Sequence, residues 1–460
     1  MPHKPRPFRA DIAASSPLAH LNGRLLARAR TASLGLDFGT TNTVLAMRED
    51  DAARAAPVAF DFAGESMDAL RSALCFWKPA LGQHASDAAE AGPWAIQRYI
   101  DDPGDCRFLQ SLKTFAASPY FQNTYLFAQK YSFEDLLEVF FKRVHFHAGE
   151  ALTPLPRRLV VGRPVTFAGG APDAELAMAR YRTALQRFGF EEILFVYEPV
   201  AAAFFFARTL KKKAKVLVAD FGGGTTDYSI MQFDVAEGGI RAIPLGHGGV
   251  GVAGDTFDYR IIDHVILPHL GKGGRFQSMG KVLDLPSSAF ASFGRWNLLS
   301  VLKTSEEFKE LRRTLRFCLE PEKIQRFIDI VDDDLGYPLY RAVSAAKARL
   351  SSADQTTLEF APLGRDFCAR IERTAFEKWI AEDLARMEHA LDETLAKAQL
   401  EDAAIDKVFL TGGTSFVPAV RNMFVERFGA ERIESGDELL SIANGLALIG
   451  EREDAKAWAT

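Results

Sequence analysis

Two carboxylates, Asp220 and Asp227, bracket three glycines and two threonines in VLVADFGGGTTDYSIM, residues 216–231. A turn this rich in glycine exposes several N–H groups together and lets a ligand approach the backbone, which is how an anion is bound. Thr225 and Thr226 add hydroxyl donors. Acids beside an anion repel it unless a cation lies between, and Mg²⁺ suits oxygen ligands while keeping several waters. The chemistry this spacing allows is capture of a metal-bearing phosphate, with a nucleotide the expected ligand; a plain hairpin with a glycine-rich turn is the alternative. A second copy decides between them. Residues 34–47, LGLDFGTTNTVLAM, repeat the pattern: an apolar run, Asp37, Gly39, Thr40, Thr41, Asn42 and a further apolar run. Repetition of a whole supersecondary unit implies two halves facing one ligand.

Strands and helices must bring these turns together. RLVVGRPV, residues 158–165, is a β-branched run ended by proline and reads as a buried strand. In EEILFVYEPVAAAFFFA, residues 191–207, a strand stops at Glu198–Pro199. An apolar helix then begins with proline in its first turn. Glu198 is thereby set at a strand end, where ligands collect, or serves the helix dipole. KVFLTGGTSFVPAVRNMF, residues 407–424, reads as strand, Gly412–Gly413 turn and helix, whose first donors suit an anion or nucleoside. Helical spacing covers residues 132–147, with Ser132 as N-cap and Asp135 at N3. It also covers 174–188, 255–267, 339–352, 376–395 and 442–449. Residues 49–56 read as a turn, and 271–336 as a mostly helical lobe without a chemical motif. GHGGVGVAGD, residues 246–255, contains GxGxxG twice, but mid-chain and after a hairpin, which is wrong for a dinucleotide fold. A loop closing over phosphates is expected there. No GxxxxGK[ST] occurs, which excludes a P-loop.

The 460 residues allow two large lobes. With 48% hydrophobic and 25% charged residues the composition is that of a globular protein, and a net charge of −5 gives no case for nucleic-acid binding. Four cysteines without a CxxC pair argue for reduced thiols in a cytoplasmic setting and against a zinc site. No apolar run has membrane-spanning length, so no membrane partner is expected. Residues 1–32 read as a basic arm.

In order along the chain stand DFGTTN, YEPVAAA, DFGGGTTD and LTGGTSFVP. Together they resemble the nucleotide-binding domain of the DnaK-like heat-shock chaperone family, over roughly residues 33–450, and most of all its short YegD-type bacterial members. The resemblance implies an α/β actin-like ATPase fold: two lobes, each a mixed sheet with flanking helices, and a nucleotide cleft between them. The lobes would be 33–215, with a peripheral part at 58–149, and 216–450, with a helical insertion at 271–336; 451–460 would be a tail. It implies ATP or ADP with Mg²⁺ as cofactors. Gly39, Thr40, Thr41 and Asn42 would hold phosphates from one lobe, and Gly222, Gly223, Gly224 and Thr225 from the other. Asp37, Glu198 and Asp220 would surround the metal, mostly through water. Asp227 would orient or deprotonate the attacking water, and Lys113, in CRFLQSLKTF, would reach the terminal phosphate. Gly254, Gly412, Gly413, Thr414, Lys347 and Ser351 would line the nucleoside end, and Pro164 would relay nucleotide state. Two positions depart from the family: Ala348 and Phe416 stand where arginines sandwich adenine, with Arg349 adjacent and Phe416 able to stack on a base. Only ten residues follow Gly450, so the peptide-binding half is not expected in this chain. The implied function is an ATP-binding, slowly hydrolysing, monomeric conformational switch with an unidentified protein client. A small-molecule kinase or a filament-forming ATPase of the same fold is the alternative. Against a kinase, Gly162, Arg163 and Pro164 stand where the catalytic acid would be.

Overall fold

The computed structural model describes residues 33–48, 55–80, 87–169, 171–236, 239–295, 302–303, 305–364, 366–436 and 439–460. The basic arm at 1–32 and most of the turn expected at 49–56 lie outside them. Two mixed sheets dominate, and they are built alike. In the first, β1 (Ser33–Phe38) turns back into β2 (Asn42–Arg48), which pairs with β3 (Ala55–Pro57). On the other side β1 runs parallel to β4 (Arg158–Arg163), and β4 to β5 (Glu192–Tyr197). In the second, β6 (Ala214–Phe221), β7 (Thr226–Ala236) and β8 (Gly239–Val250) form the antiparallel meander, and β9 (Lys407–Thr411) and β10 (Ile433–Ser435) continue in parallel beside β6. Strand order third-second-first-fourth-fifth is thus repeated.

Both sheets are covered on both faces, which explains their nearly continuous apolar strands. Alternation sorts the side chains. Leu34, Leu36 and Phe38 of β1, with Leu159 and Val161 of β4, pack into the peripheral core of the first lobe. Leu217, Ala219 and Phe221 of β6 do the same in the second. Val160, Val216 and Val218 point the other way, into a shared core formed by α1 (Glu198–Ala207) and a C-terminal helix, Ser441–Gly450. Small residues let these two helices and the first sheet approach. A Cβ on Gly445 would sit 1.8 Å from the carbonyl oxygen of Ala201, and one on Gly35 would sit 2.3 Å from that of Ala443.

Local signals behave as their chemistry dictates at the Ser132 N-cap, where the Ser132 hydroxyl accepts from Asp135 N–H and Asp135 Oδ2 accepts from Ser132 N–H. Two expectations are corrected. Residues 246–250 are not a loop but the end of strand β8, paired with β7. Their glycines serve close packing: a Cβ on Gly248 would lie 2.2 Å from Thr394 Oγ1, and one on Gly249 would lie 2.6 Å from Asp227 Oδ1. The helix read over 376–395 is two, Arg373–Trp379 and Ala381–Lys397, broken at Ile380. In the segment 271–336, helices Ser288–Phe293, Glu306–Thr314 and Pro321–Asp332 are preceded by an unexpected hairpin, Arg275–Ser278 with Lys281–Asp284.

Candidate functional site

The turns of the two meanders are superposable in their bonding. Gly39 N–H donates to Asn42 C=O at 2.9 Å, and Gly222 N–H donates to Thr225 C=O at 3.0 Å. Register agrees as well: Asp37 pairs with Val44 and Phe38 with Thr43, just as Asp220 pairs with Asp227 and Phe221 with Thr226. Among the described residues the N–H groups of Thr40, Thr41, Gly223 and Gly224 donate to no backbone carbonyl, so they are available to an anion. The turns meet. A Cβ on Gly223 would lie 2.2 Å from Thr41 Oγ1, and one on Gly224 would lie 3.3 Å from Thr40 Oγ1.

Other elements close around them. α2 (Gly254–Ile261) begins against the second turn, with Asp255 N–H donating to Gly223 C=O at 2.8 Å. The third turn leans on the same place: Gly412 has φ +83°, a Cβ there would meet Phe221 O at 2.2 Å, and Thr414 Oγ1 donates to Gly222 C=O at 3.2 Å. α3 (Gly336–Leu350) supplies Ser344, Lys347 and Ala348, with Ser351 just past its end, at spacings that share one helix face. Lys347 Nζ donates to Gly254 C=O at 2.9 Å and lies 3.0 Å from Asp258 Oδ1.

The result is a cavity of about 250 Å³ between the sheets. Of the residues expected at the site, it is lined by Asp37, Gly39, Thr40, Thr41, Asn42, Lys113, Glu198, Asp220, Gly222, Gly223, Thr225, Gly254, Lys347, Ser351, Gly412, Gly413 and Thr414. Three are not on its wall. Gly224 lies in the second turn, against Thr40. Phe416 is 54% exposed and points elsewhere, so it offers no base platform here. Asp227 is 1% exposed, and its Oδ1 accepts from Val165 N–H at 2.7 Å and Thr166 N–H at 3.0 Å, tying the second meander to the residues that follow Pro164. Arg349, two positions from Lys347, is turned away: it donates to Thr356 Oγ1 at 2.8 Å and Thr357 C=O at 2.9 Å.

Lys113 Nζ and Glu198 Oε1 form a buried ion pair at 2.6 Å. Burial opposes the ammonium, but Glu198, Tyr181 and Asp37 hold its proton more tightly than usual. One lysine cannot balance the acids. Burial, then Glu198, push Asp37 up to about 7 against the pull of Lys113. Asp220 is pushed well above its ordinary value by burial and then by Glu198, Asp37 and Asp227. Asp227 is raised to about 7, chiefly by burial and Glu198, although the Thr166 N–H and the Thr225 hydroxyl favour its charged form. Carboxyls that hold protons this tightly are short of a counter-charge. Among the described residues no three acidic, histidine or cysteine side chains converge at direct ligating distance. That donor set suits a hard cation that keeps its waters and touches one or two carboxylates, as Mg²⁺ does beside phosphates.

Arg71, Asp255, Asp258, Ser344, Val417, Leu439 and Ile442 also line the cavity, and sequence reasoning does not single them out. Asp255 and Asp258 carried a signal, two acids three apart opening a helix after GVAGD, so both face one way. Arg71 carried none.

A family model described as Hsp70 protein matches residues 179–272 and 311–453. Chaperone protein DnaK of Thermosipho melanesiensis is 26% identical over 418 residues, covering 90% of this chain and 58% of that protein. DnaK of Thermotoga maritima is 26% identical over 438 residues, covering 92% and 60%. DnaK of Thermus thermophilus is 23% identical over 448 residues, covering 92% and 62%. The chain therefore spans about three fifths of the length of these relatives.

Proposed function

The chain belongs to the Hsp70 family and has its actin-like ATPase fold, and from that premise we propose that it binds ATP or ADP with Mg²⁺ in the cleft between the two turns. We propose further that it hydrolyses ATP slowly, as a chaperone-related conformational switch. One observation carries this reading: two turns of identical bonding, one from each sheet, touch over a cavity rimmed by buried, under-neutralised carboxylates.

Phosphoryl transfer needs positioning and charge neutralisation more than covalent chemistry. Thr40, Thr41, Asn42, Gly222, Gly223 and Thr225 hold the phosphates with backbone N–H and hydroxyl donors. Asp37, Glu198 and Asp220 would hold Mg²⁺, largely through water, and when bound it would offset the charge of the transferring group. Lys113, kept protonated and fixed in place by Glu198, directs its remaining donors at the terminal phosphate. Asp227, raised toward neutrality and hydrogen-bonded to Thr225, is assigned the proton of the attacking water. Its bonds to Val165 and Thr166 N–H pass any change at that carboxylate to the segment after Pro164. Lys347, Ser344 and Ser351 face the nucleoside.

A kinase reading finds no support where β4 ends, since Arg163 there is buried, over the Phe167 and Tyr197 rings, and Gly162 has no side chain. Partners are proposed to be a nucleotide and a protein client, with the chain acting as a monomer in the cytoplasm. No helix among the described residues is long and apolar enough to cross a membrane. The test is phosphate release from ATP by the wild type and by Asp220→Asn. Loss of turnover in the variant, with its far-UV spectrum unchanged, is expected; equal turnover would remove Asp220 from the site.

A further inference from the structure

Among the described residues three cations line the cavity, and two are committed: Lys113 to Glu198 and Lys347 to Asp258. The third, Arg71, is half-buried in the two-residue strand Leu70–Arg71, which pairs with β2 so that Arg71 stands opposite Asn42. Its Nη1 donates to Asn42 Oδ1 at 3.3 Å, and among the described residues it reaches no carboxylate within 4.0 Å. Among the described residues hydrogen bonding of its guanidinium is limited to that one contact, which leaves four of its five N–H donors for whatever enters the cavity. A narrow recess joins it to Thr40, Thr41, Ser111 and, across the cleft, Tyr337.

Its place along the cavity follows from its neighbours. Lys113, Glu198, Asp37 and Asp220 form the inner end, and the acids there feel Lys113. Asp255 and Asp258, on the opposite lobe beside Lys347, feel Arg71 together with Lys347. Arg71 therefore sits beside Asn42, between the terminal-phosphate end and the nucleoside end. A planar guanidinium matches two oxygens of a phosphate at once, which an ammonium does not.

We propose that Arg71 is a binding residue that clamps the phosphates shared by ATP and ADP from the rim of the first sheet. This rests on the reading of the cavity as a nucleotide site.

The test is calorimetric binding of ATP, ADP and adenosine to the full chain carrying Arg71→Met or Arg71→Lys. Loss of a charge-assisted contact is expected to weaken ATP and ADP alike by about ten- to a hundredfold, with adenosine unchanged. Arg71→Lys should recover part of the loss. Unchanged ADP affinity in a folded Arg71→Met chain would overturn the proposal. So would a loss confined to ATP, or one equally large for adenosine, which would mark a role in lobe closure. If the wild type binds none of the three, the nucleotide-site reading itself fails.

Discussion

At the scale of single residues, the site is an imbalance of buried charge held in check by one lysine. Removing Lys113 strands Glu198 in the interior. Lys113→Met should therefore cost about 3–5 kcal/mol of stability, whereas Lys113→Met with Glu198→Gln should recover most of it. Urea unfolding of both variants checks this, and a double variant no more stable than the single one would refute it. The same imbalance sets a pH dependence. Asp37 binds its proton more tightly when folded, at about 7 against an ordinary 3.8. Such a group stabilises the fold below its unfolded value and loses that contribution as pH rises through its folded value. In ligand-free protein, Asp37→Asn should gain stability relative to the wild type as pH rises from about 4 to about 7. A gap that does not change with pH would contradict it. The carboxylates, glycines and threonines of the two turns are legible in the sequence because each turn is a copy of the other. Arg71 is not, since a two-residue strand has no period to read and its partner, Asn42, is distant in the chain. Phe416 and Arg349 mislead for a related reason: the direction in which a side chain leaves a turn or helix is decided by neighbours such as Thr356 and Thr357.

At the scale of elements, glycine has two jobs that look the same in sequence. In DFGTTN and DFGGGTTD it makes a tight turn on the wall of the cavity. In β8 it makes room for the helix Ala381–Lys397, which is why a glycine-rich stretch read as a loop is strand. Periodicity cannot separate these cases, because the deciding contact, Gly248 with Thr394, lies far off in sequence. The helices and strands around the site are more legible. Ser132 with Asp135, Glu198–Pro199 and the apolar run before Asp220 each fix an element by local chemistry. The shared helical core depends on Gly445, where a methyl group would collide with the Ala201 backbone. Gly445→Ala should destabilise the chain by about 2 kcal/mol or more, since backbone cannot yield as a side chain can. A melting temperature equal to the wild type's would contradict that packing.

At the scale of the whole molecule, each sheet lends a helix to the core between them. α1 follows β5 of the first sheet yet joins Val216 and Val218 of the second, and the Ser441–Gly450 helix follows the second sheet yet lies against Gly35 and Ser33 of the first. The two sheets thus share a common base while their turns meet at the cleft, and under the proposed function a ligand held by both turns would favour a closed arrangement. Duplicated topology makes the two-lobed architecture readable from two short motifs, whereas the hairpin at 275–284 has no counterpart in the repeat and stays hidden. Common to all three scales is the proposal that two acids, one per sheet, serve a single ligand. The direct measurement is a calorimetric titration of the chain with ATP and Mg²⁺, alongside Asp37→Asn and Asp220→Asn. One site per chain, weakened by either substitution and by removal of Mg²⁺, is the predicted result. Two independent sites, or binding indifferent to one of the two aspartates, would contradict it.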